Sequence, residues 1–477
     1  MKRSIFKRLM LAVVLASAIL PPQALGAQSQ AIEKGKVIEK IICRSDPQQS
    51  YALFLPSGYT RDKRWPILYC FDPAARGPLP VERFKEAAEK YGYIVVGSNN
   101  SRNGSNESSV AAAQAMIDDT QARFSIDDRR VYTTGFSGGA RVAVRVGHLL
   151  AGPIAGVIAC GAGFPQGITP SRSTPFPLFG TAGVEDFNYP EMRQLARTLD
   201  GFGIANRVAV FEGSHSWPPS AVCVEAIEWM ELQAMKSSRR AKDERLIEEL
   251  LNKSVERARA YEASNKTYEA YITYDAIARD FKGLKDAGEF EKRAAELKEA
   301  KEVNLALKQE LEMEKAQSRR MNELLTLKES LKDSETGGLA FADLKKNIAG
   351  LKKRVDEKET GAEKTGAEKM VARRVLNHFF AFLSEEVDAL KSRKEYKQAA
   401  LDLSLAALIT PDNPRVHYSL ACVYALNKDK GRALEALKKS VEKGFKDLTA
   451  LESNKDLEPL REDADYKRIV EDLKKKS

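Results

Sequence analysis

The chain has 477 residues, of which 43% are apolar and 30% are charged, and it contains five Cys and four His. This length predicts two to four domains, and the composition excludes wholesale disorder, a polytopic membrane protein and a disulfide scaffold. The 76 basic and 67 acidic residues give a net charge of +9. An excess of basic residues is typical of proteins that bind nucleic acid or a membrane surface. Whether it indicates such a function here depends on where in the chain the charge lies.

Residues 1–27 have the pattern of a secretory signal. An apolar stretch over residues 9–20 follows a basic start, and small residues at 24–27 offer a cleavage site. The basic residues are Lys2, Arg3, Lys7 and Arg8. We therefore expect an exported protein, periplasmic or secreted, whose mature chain has no membrane span. An uncleaved N-terminal anchor is the alternative.

Removing the signal lowers the net charge to +5, and the rest is unevenly distributed. Residues 28–235 carry 21 basic and 21 acidic residues, whereas residues 236–477 carry 51 basic and 46 acidic residues. The charges of the second part alternate in sign, which is typical of a solvated helical surface. The sequence therefore predicts no nucleic-acid partner and a domain boundary near residue 236.

Residues 28–235 alternate apolar runs with helical patterns, which predicts an α/β domain. We predict strands over Lys36–Cys43, Ser50–Pro56, Pro66–Phe71, Tyr93–Gly97, Arg130–Thr134, Ala155–Cys160, Phe176–Thr181 and Arg207–Phe211. We predict helices over Val81–Lys90, Val110–Phe124, Gly139–Leu150, Tyr189–Gly201 and Ser220–Ala234. The first strands follow one another directly, so we expect an antiparallel edge and a parallel remainder with right-handed crossovers.

Residues 236–336 are predicted to form long charged helices. The apolar spacing over Asp286–Asp333 holds only in pieces, which favours a solvated helix or loose hairpin over a sustained coiled coil, with dimerisation left open. Residues 337–370 are predicted to be a flexible linker, because Gly337-Gly338 interrupts the pattern and a five-residue segment is duplicated over 360–369.

Residues 371–477 contain a 34-residue period. The first copy is Ala399, Leu403, Ala406 and Pro411, and the second is Ala433, Leu437, Ser440 and Phe445. Paired helices at this period resemble the tetratricopeptide repeat, and Tyr261, Ala270 and Tyr274 keep the internal offsets of an earlier candidate copy. The resemblance implies a protein partner, and a spacer without any ligand is the alternative.

A Gly-x-Ser-x-Gly motif carries the chemistry of the first part. Gly135 to Gly139 stand between a predicted strand and a predicted helix, the context in which Ser137 becomes a candidate nucleophile. A tight strand-to-helix turn needs neighbours without side chains, and the helix N-terminus directs its dipole at the reacting carbonyl. The alternative is a structural glycine turn.

A nucleophilic serine needs a base, and His215 is the candidate. It follows the last predicted strand, at the edge of the sheet where that base must lie. His148 is three helical turns from Ser137, and we assign no catalytic context to His378 or His417. The alternative for His215 is a loop histidine that caps the next helix.

The acid of the triad is expected after the penultimate strand, where Asp186 is preferred and Glu185 is the alternative. Either could instead cap the helix that follows. The oxyanion hole is expected to use the N–H of Gly138 and an N–H from the loop after Pro66–Phe71, where Ala74 is the candidate because Pro73 has no N–H.

These motifs resemble the α/β-hydrolase superfamily over residues of about 30–235, in particular small secreted esterases similar to polyhydroxybutyrate depolymerases and feruloyl esterases. The resemblance implies a serine ester hydrolase that acts on a small-molecule or polymer ester and needs no metal or cofactor. Two departures concern the site: Asp72-Pro73 replaces a common His-Gly, and Gly183 stands where many relatives carry the acid.

Only Gly161–Pro175 separates the sixth and seventh strands, which leaves no room for an inserted helical lid and predicts an open, shallow site. Its candidate wall residues are Phe164, Phe187, Tyr189 and Trp217. Two other functions stay open: a non-catalytic hydrolase-like domain in a repeat-based binding protein, and a peptidase or acyltransferase with the same triad.

The cysteines add little to the prediction. Cys70 and Cys160 are expected on strands about 9.5 Å apart, beyond disulfide reach. Cys43 and Cys223 form a candidate pair that the sequence does not decide.

Overall fold

The computed structural model describes residues 32–149, 154–332, 337–357 and 363–476. The signal expected over residues 1–27 lies outside this part, as do residues 360–362 of the duplicated segment. Among the described helices, none combines the length and the apolar character needed to cross a bilayer.

Within the described residues, eight strands form one sheet, and every predicted strand is confirmed. The strands are β1 Val37–Ile42, β2 Ser50–Phe54, β3 Trp65–Phe71, β4 Ile94–Ser98, β5 Ile126–Phe136, β6 Ile154–Cys160, β7 Leu178–Gly183 and β8 Asn206–Phe211. Their order is β1-β2-β4-β3-β5-β6-β7-β8. Both pairings of β2 are antiparallel and the others are parallel, as expected for an antiparallel edge and right-handed crossovers.

The described part of this half also contains five helices, again where the sequence predicts them. They are α1 Pro78–Tyr91, α2 Asn106–Arg123, α3 Gly138–Leu149, α4 Tyr189–Gly201 and α5 Ser220–Lys236. Helix α1 packs against α5 on one face of the sheet, and α2 packs against α3 on the other. The central strands β3 and β6 are buried at every residue and are therefore almost wholly apolar. This is the predicted α/β-hydrolase fold, and we call residues 37–236 the hydrolase half after it.

The rest of the described chain is helical, as predicted. Its helices are α6 Glu244–Ala263, α7 Thr267–Phe281, α8 Gly288–Lys298, α9 Lys301–Glu329, α10 Gly337–Asp356, α11 Glu363–Ser392, α12 Tyr396–Ile409, α13 Pro414–Leu426, α14 Lys430–Glu442, α15 Leu448–Ser453 and α16 Ala464–Lys476. Short 3₁₀ segments follow α9 and α15 at Ser330–Lys332 and Lys455–Leu460.

The segment predicted as a flexible linker differs from its prediction. Residues 337–356 form α10, because Leu344, Ile348 and Leu351 recur at helical spacing and are buried against α9, α11 and α12. The glycines at 337 and 338 stand at the start of this helix, where they do not interrupt it.

Helix α9 is solvated along part of its surface, as its charges predict, but one side of it contacts the hydrolase half. Two of its acidic residues form ion pairs with α4: Glu310 with Arg193 at 2.9 Å, and Glu314 with Arg197 at 2.6 Å. Glu314 is only 7% exposed. A pattern of charged residues does not show which side chains face water and which face oppositely charged side chains of a distant helix. This contact could therefore not be predicted from the sequence.

The two halves also meet through Asp280 at the end of α7. Asp280 is buried and accepts hydrogen bonds from Trp229 Nε1 at 2.7 Å and from Arg207 Nη1 at 2.9 Å. These donors lie on α5 and β8 of the hydrolase half. Contacts of this kind join the residues from Lys34 onward into one compact unit.

The positions of the 34-residue period are buried in α12 and α14. Ala399 and Ala433 are each 0% exposed, and Leu403 and Leu437 pack in the same core cluster. These residues explain why the period is apolar. The assignment to tetratricopeptide repeats remains a resemblance.

All five cysteines are free, buried thiols. Cys70 on β3 and Cys160 on β6 are separated by β5, as expected from the strand order. Cys43 and Cys223 do not form the candidate disulfide. Burial raises the pKa of Cys43 to about 11, so this thiol is neutral at physiological pH.

Candidate active site

Ser137 lies on the turn between β5 and α3 with a left-handed backbone, φ 52°. This conformation costs about 1–3 kcal/mol for a residue with a side chain. A Cβ at Gly135 would lie 2.1 Å from the Gly139 carbonyl oxygen, and a Cβ at Gly139 would lie 2.0 Å from the Phe71 carbonyl oxygen. The Gly-x-Ser-x-Gly pattern is therefore a steric requirement of the turn that holds Ser137 at the carboxyl end of β5.

His215 follows β8 and points back over the same edge of the sheet. Its ring lies between those of Phe136 and Phe187, with centroid distances of 4.5 and 4.2 Å. Its Nδ1 is 2.8 Å from Asp186 Oδ1. This contact fixes the orientation of the imidazole and leaves Nε2 as the nitrogen available for proton transfer.

Asp186, on the loop after β7, is the carboxylate that the structure brings to His215. It is 0% exposed, and its Oδ1 also accepts the N–H of Asn188 at 2.7 Å. Glu185, the alternative acid, forms an ion pair with Arg373 of α11 instead. The two neighbouring acids thus point to different partners, a distinction that their adjacency in sequence could not reveal.

Gly161 closes the space around this pair. Its φ is +65°, and a Cβ there would lie 3.1 Å from Asp186 Oδ2 and 3.2 Å from His215 Cε1. Any side chain at this position would press on both members of the hydrogen bond. The end of β6 therefore needs a glycine to accommodate the Asp186–His215 pair.

One of the two predicted oxyanion donors is engaged elsewhere. Gly138 begins α3, so its N–H has no partner within the helix. The Ala74 N–H, in contrast, donates to Asp72 Oδ1 at 2.8 Å. The sequence prediction overlooked that an Asp two residues earlier can bond this N–H in an Asx turn. Ala74 is therefore not a free donor in this structure.

Asp72 is a buried residue whose carboxylate connects two loops of the site through hydrogen bonds. It accepts hydrogen bonds from Trp217 Nε1 at 2.8 Å and from Arg76 Nε at 2.9 Å, as well as from Ala74. Burial alone would raise the pKa of Asp72, but the hydrogen bonds from Arg76, Trp217 and the Ala74 N–H lower it. The ionised carboxylate therefore ties the loop after β3 to the loop that carries His215.

Asn103 is a site residue that sequence reasoning missed. A Cβ on Gly138 would lie 1.8 Å from Asn103 Oδ1, so the Asn103 amide rests directly against Gly138. The Asn103 N–H donates to the Pro73 carbonyl at 2.9 Å, which holds the two loops together. The loop after β4 leaves the sheet at the same edge as Ser137. This topology was the signal that could have identified Asn103 as a site residue.

The four predicted wall residues have different surroundings. Phe187 contacts His215, and Trp217 is buried beside Phe136 with its indole N–H on Asp72. Tyr189 is buried, and its hydroxyl donates to Glu310 of α9. Phe164 packs against His148 and Phe176. Among these four, Phe187 is the one whose ring the structure places on the catalytic candidate His215.

The loop that carries Asp186 is held by helices of the C-terminal half. Gln317 of α9 donates to the Phe187 carbonyl at 2.7 Å, and Arg374 of α11 donates to the Val184 carbonyl at 2.9 Å. The described segment between β6 and β7 contains no helix, but α9 and α11 cover this side of the site. The prediction of an open site is therefore wrong on the side of the acid loop.

The other three histidines also have defined surroundings. The His148 ring bonds the Val144 carbonyl within its own helix, and His417 Nε2 bonds the Pro411 carbonyl at 2.8 Å. His378, to which the sequence assigned no catalytic context, stacks on Phe187. A contact between residues 191 positions apart leaves no trace in a single sequence. In the described part of the chain, no group of three His, Cys, Asp or Glu is arranged to hold a metal ion.

Neither a protein-family model nor a curated protein matches this sequence. The S-formylglutathione hydrolase of Staphylococcus aureus is a similar solved structure, 14% identical over 42% of this chain and 98% of its own, with a TM-score of 0.34. A ferulic acid esterase is 15% identical over 41% of this chain and 97% of its own, with a TM-score of 0.36. The feruloyl esterase module of Clostridium thermocellum is 15% identical over 40% and 85%, with a TM-score of 0.32. Identities this low do not assign an activity to this chain.

Proposed function

We propose that the protein is a serine hydrolase that cleaves carboxylic esters through an acyl-enzyme. The observation that carries the proposal is the 2.8 Å contact between the buried Asp186 and His215 Nδ1, at the sheet edge where the strained turn presents Ser137. A nucleophile, a base and a group that orients the base are the three parts of this chemistry. Each lies at the end of a different strand, which holds it in a fixed position.

In the proposed reaction, Ser137 Oγ attacks the ester carbonyl carbon and its proton passes to His215 Nε2. Asp186 stabilises the imidazolium that forms. The tetrahedral intermediate collapses, and His215 gives its proton to the departing alkoxide, which leaves as the alcohol. Water, deprotonated by His215, then attacks the acyl-enzyme and releases the acid with Ser137 restored.

The oxyanion of the intermediate needs two donors, and we assign them to the Gly138 N–H and the Asn103 side-chain amide. The backbone N–H of Ala74 is bonded to Asp72, whereas the Asn103 amide lies against Gly138. A half-turn about its Cβ–Cγ bond exchanges Oδ1 and Nδ2 and brings an N–H of the amide next to Gly138. This assignment replaces the Ala74 prediction.

Asn103→Ala tests the assignment. Because a single donor to the oxyanion contributes about 10²–10³ in kcat, we expect a loss of that size with little change in KM. Affinity for a transition-state analogue, such as a trifluoromethyl ketone, is expected to fall with kcat/KM. Asn106→Ala, on an exposed asparagine nearby, is the control. An Asn103→Ala variant with the parent's kcat and analogue affinity would remove Asn103 from the oxyanion hole.

The type of reaction is tested by product analysis. We expect the wild-type chain to hydrolyse short p-nitrophenyl esters, with release of the acid, faster than it cleaves the matching p-nitroanilides. Ser137→Ala supplies the blank. Faster anilide cleavage would favour a peptidase, and transfer to an added alcohol in preference to water would favour an acyltransferase. Absence of all three activities in folded protein would favour a non-catalytic domain.

Two further parts of the proposal concern the whole chain. We infer from residues 1–27 that the protein is exported, and from the 34-residue period that its C-terminal helices bind a protein partner. The period itself is supported by the buried Ala399 and Ala433 in paired helices. The second inference is tested by pull-downs with the full-length chain and with variants of the α12–α14 surface. If no protein is recovered by the parent chain and lost in these variants, the result counts against the inference.

A further inference from the structure

Helix α11 has two faces with different roles. Val375 and Phe379 are each 0% exposed and pack into the core of the helical half. Arg374 and His378, also four residues apart, lie on another side of the helix and contact the acid loop of the hydrolase half. The helix is thus anchored by one face while the other borders the site.

Arg374 fixes this second face in place. It is 4% exposed, donates to the Val184 carbonyl at 2.9 Å, and lies over the Tyr189 ring at 4.1 Å from its centroid. Because Arg374 both donates a hydrogen bond to a backbone carbonyl and stacks on an aromatic ring, α11 has little freedom to shift. The position of His378, one turn further along α11, is therefore determined relative to the loop that carries Asp186.

The His378 ring stacks on Phe187 at 5.1 Å with an angle of 16° between the ring planes. Phe187 in turn contacts His215, so both imidazoles contact the same aromatic ring. Burial lowers the pKa of His378, the charge of Glu191 opposes this and the charge of His215 adds to it. At neutral pH, His378 therefore presents an uncharged aromatic ring.

Glu191 belongs to a polar border of the same region. It forms an ion pair with Arg141 of α3 at 2.8 Å and accepts the Gly163 N–H at 2.9 Å. Arg141 stands four residues after Ser137, on the first turns of the helix that the nucleophile precedes. The site is thus bordered by aromatic rings from the loop that carries Asp186 and from α11, and by the ion pair between Arg141 of α3 and Glu191 of α4.

We propose that His378 is a specificity-determining residue that contacts the part of the ester remote from the scissile bond. The inference rests on the proposed function, because it concerns the selectivity of the same site. His378 contacts the ring that lies beside the base, and from there it can touch groups of the substrate several bonds from the scissile bond. The C-terminal half then contributes directly to substrate choice.

The test compares His378→Ala with His378→Phe, which keeps a ring to stack on Phe187, and with Asn377→Ala, the adjacent position on α11. Two pairs of esters distinguish an effect on the acyl group of the substrate from an effect on its alcohol group. In one pair the acyl group changes from acetyl to 4-phenylbutyryl with p-nitrophenol as leaving group, and in the other the alcohol is enlarged with acetyl kept constant. The readout is the ratio of kcat/KM within each pair.

We expect His378→Ala to change this ratio by about tenfold for at least one pair, with p-nitrophenyl acetate affected less than about threefold. His378→Phe is expected to restore the ratio, and Asn377→Ala to leave it unchanged. An equal loss for both members of each pair, or no change in either ratio, would overturn the inference. Inactivity of the wild type toward p-nitrophenyl acetate would instead overturn the proposed function, and the inference with it.

Discussion

Replacing Ser137 by Ala is expected to lower kcat for a short aryl ester by about 10⁴-fold or more. The hydroxyl is the group that forms the acyl-enzyme, and no other nucleophile follows β5 at this edge of the sheet. The measurement is the rate of p-nitrophenol release by the full-length chain under saturating substrate.

The fold should survive this change. Alanine is smaller than serine, and the side chain occupies a turn that is only partly buried. The left-handed backbone disfavours both residues to the same degree, so we expect the midpoint of thermal unfolding to stay within a few degrees. Ser171→Ala, on a partly exposed loop serine, is the matched control and should keep full activity. A Ser137→Ala protein with activity within tenfold of the parent would exclude Ser137 as the nucleophile.

Asp186→Asn is expected to lower kcat by about 10⁴-fold while leaving binding nearly unchanged. The carboxylate accepts the Nδ1 proton of His215 and so directs the free lone pair to Nε2. An amide can place its NH₂ group at the same point, which would favour the other tautomer and leave Nε2 protonated. Loss of the buried negative charge also removes the stabilisation of the imidazolium.

The adjacent Glu185 supplies a control of the same chemical type. Glu185→Gln breaks an ion pair with Arg373 at a partly exposed position, where such pairs contribute about 0–1 kcal/mol. We therefore expect a loss of kcat of less than about fivefold. A larger loss for Glu185→Gln than for Asp186→Asn would transfer the role of the acid to Glu185 and contradict the geometry of the loop.

Local patterns in the sequence were sufficient to predict the hydrolase half. Its strands are short apolar runs bounded by turns, and its helices carry apolar residues at helical spacing, so periodicity alone locates them. Chain order then places Ser137, Asp186 and His215 at strand ends that meet at one edge. The prediction missed the first residues of β5, because Ile126 is followed by four charged residues, Asp127 to Arg130, instead of an apolar run.

The contacts between distant segments could not be predicted in this way. Gln317, Arg374 and His378 reach the acid loop from helices more than 100 residues away in sequence, and their own neighbours are ordinary for charged helices. The occupied Ala74 N–H and the placement of Asn103 depend on loop geometry that spacing does not encode. Prediction from patterns therefore located the triad candidates and missed the C-terminal helices that enclose one side of the site.

The central claim, that Ser137 is a nucleophile activated by His215, is tested most directly by covalent labelling. A fluorophosphonate probe reacts with an activated serine and gives a stable adduct whose position is read by peptide mass spectrometry. The account predicts one adduct, on Ser137, in wild-type protein, and none on Ser137 in His215→Ala protein. Folded wild-type protein with no adduct at Ser137, or equal labelling in the His215→Ala variant, would contradict it.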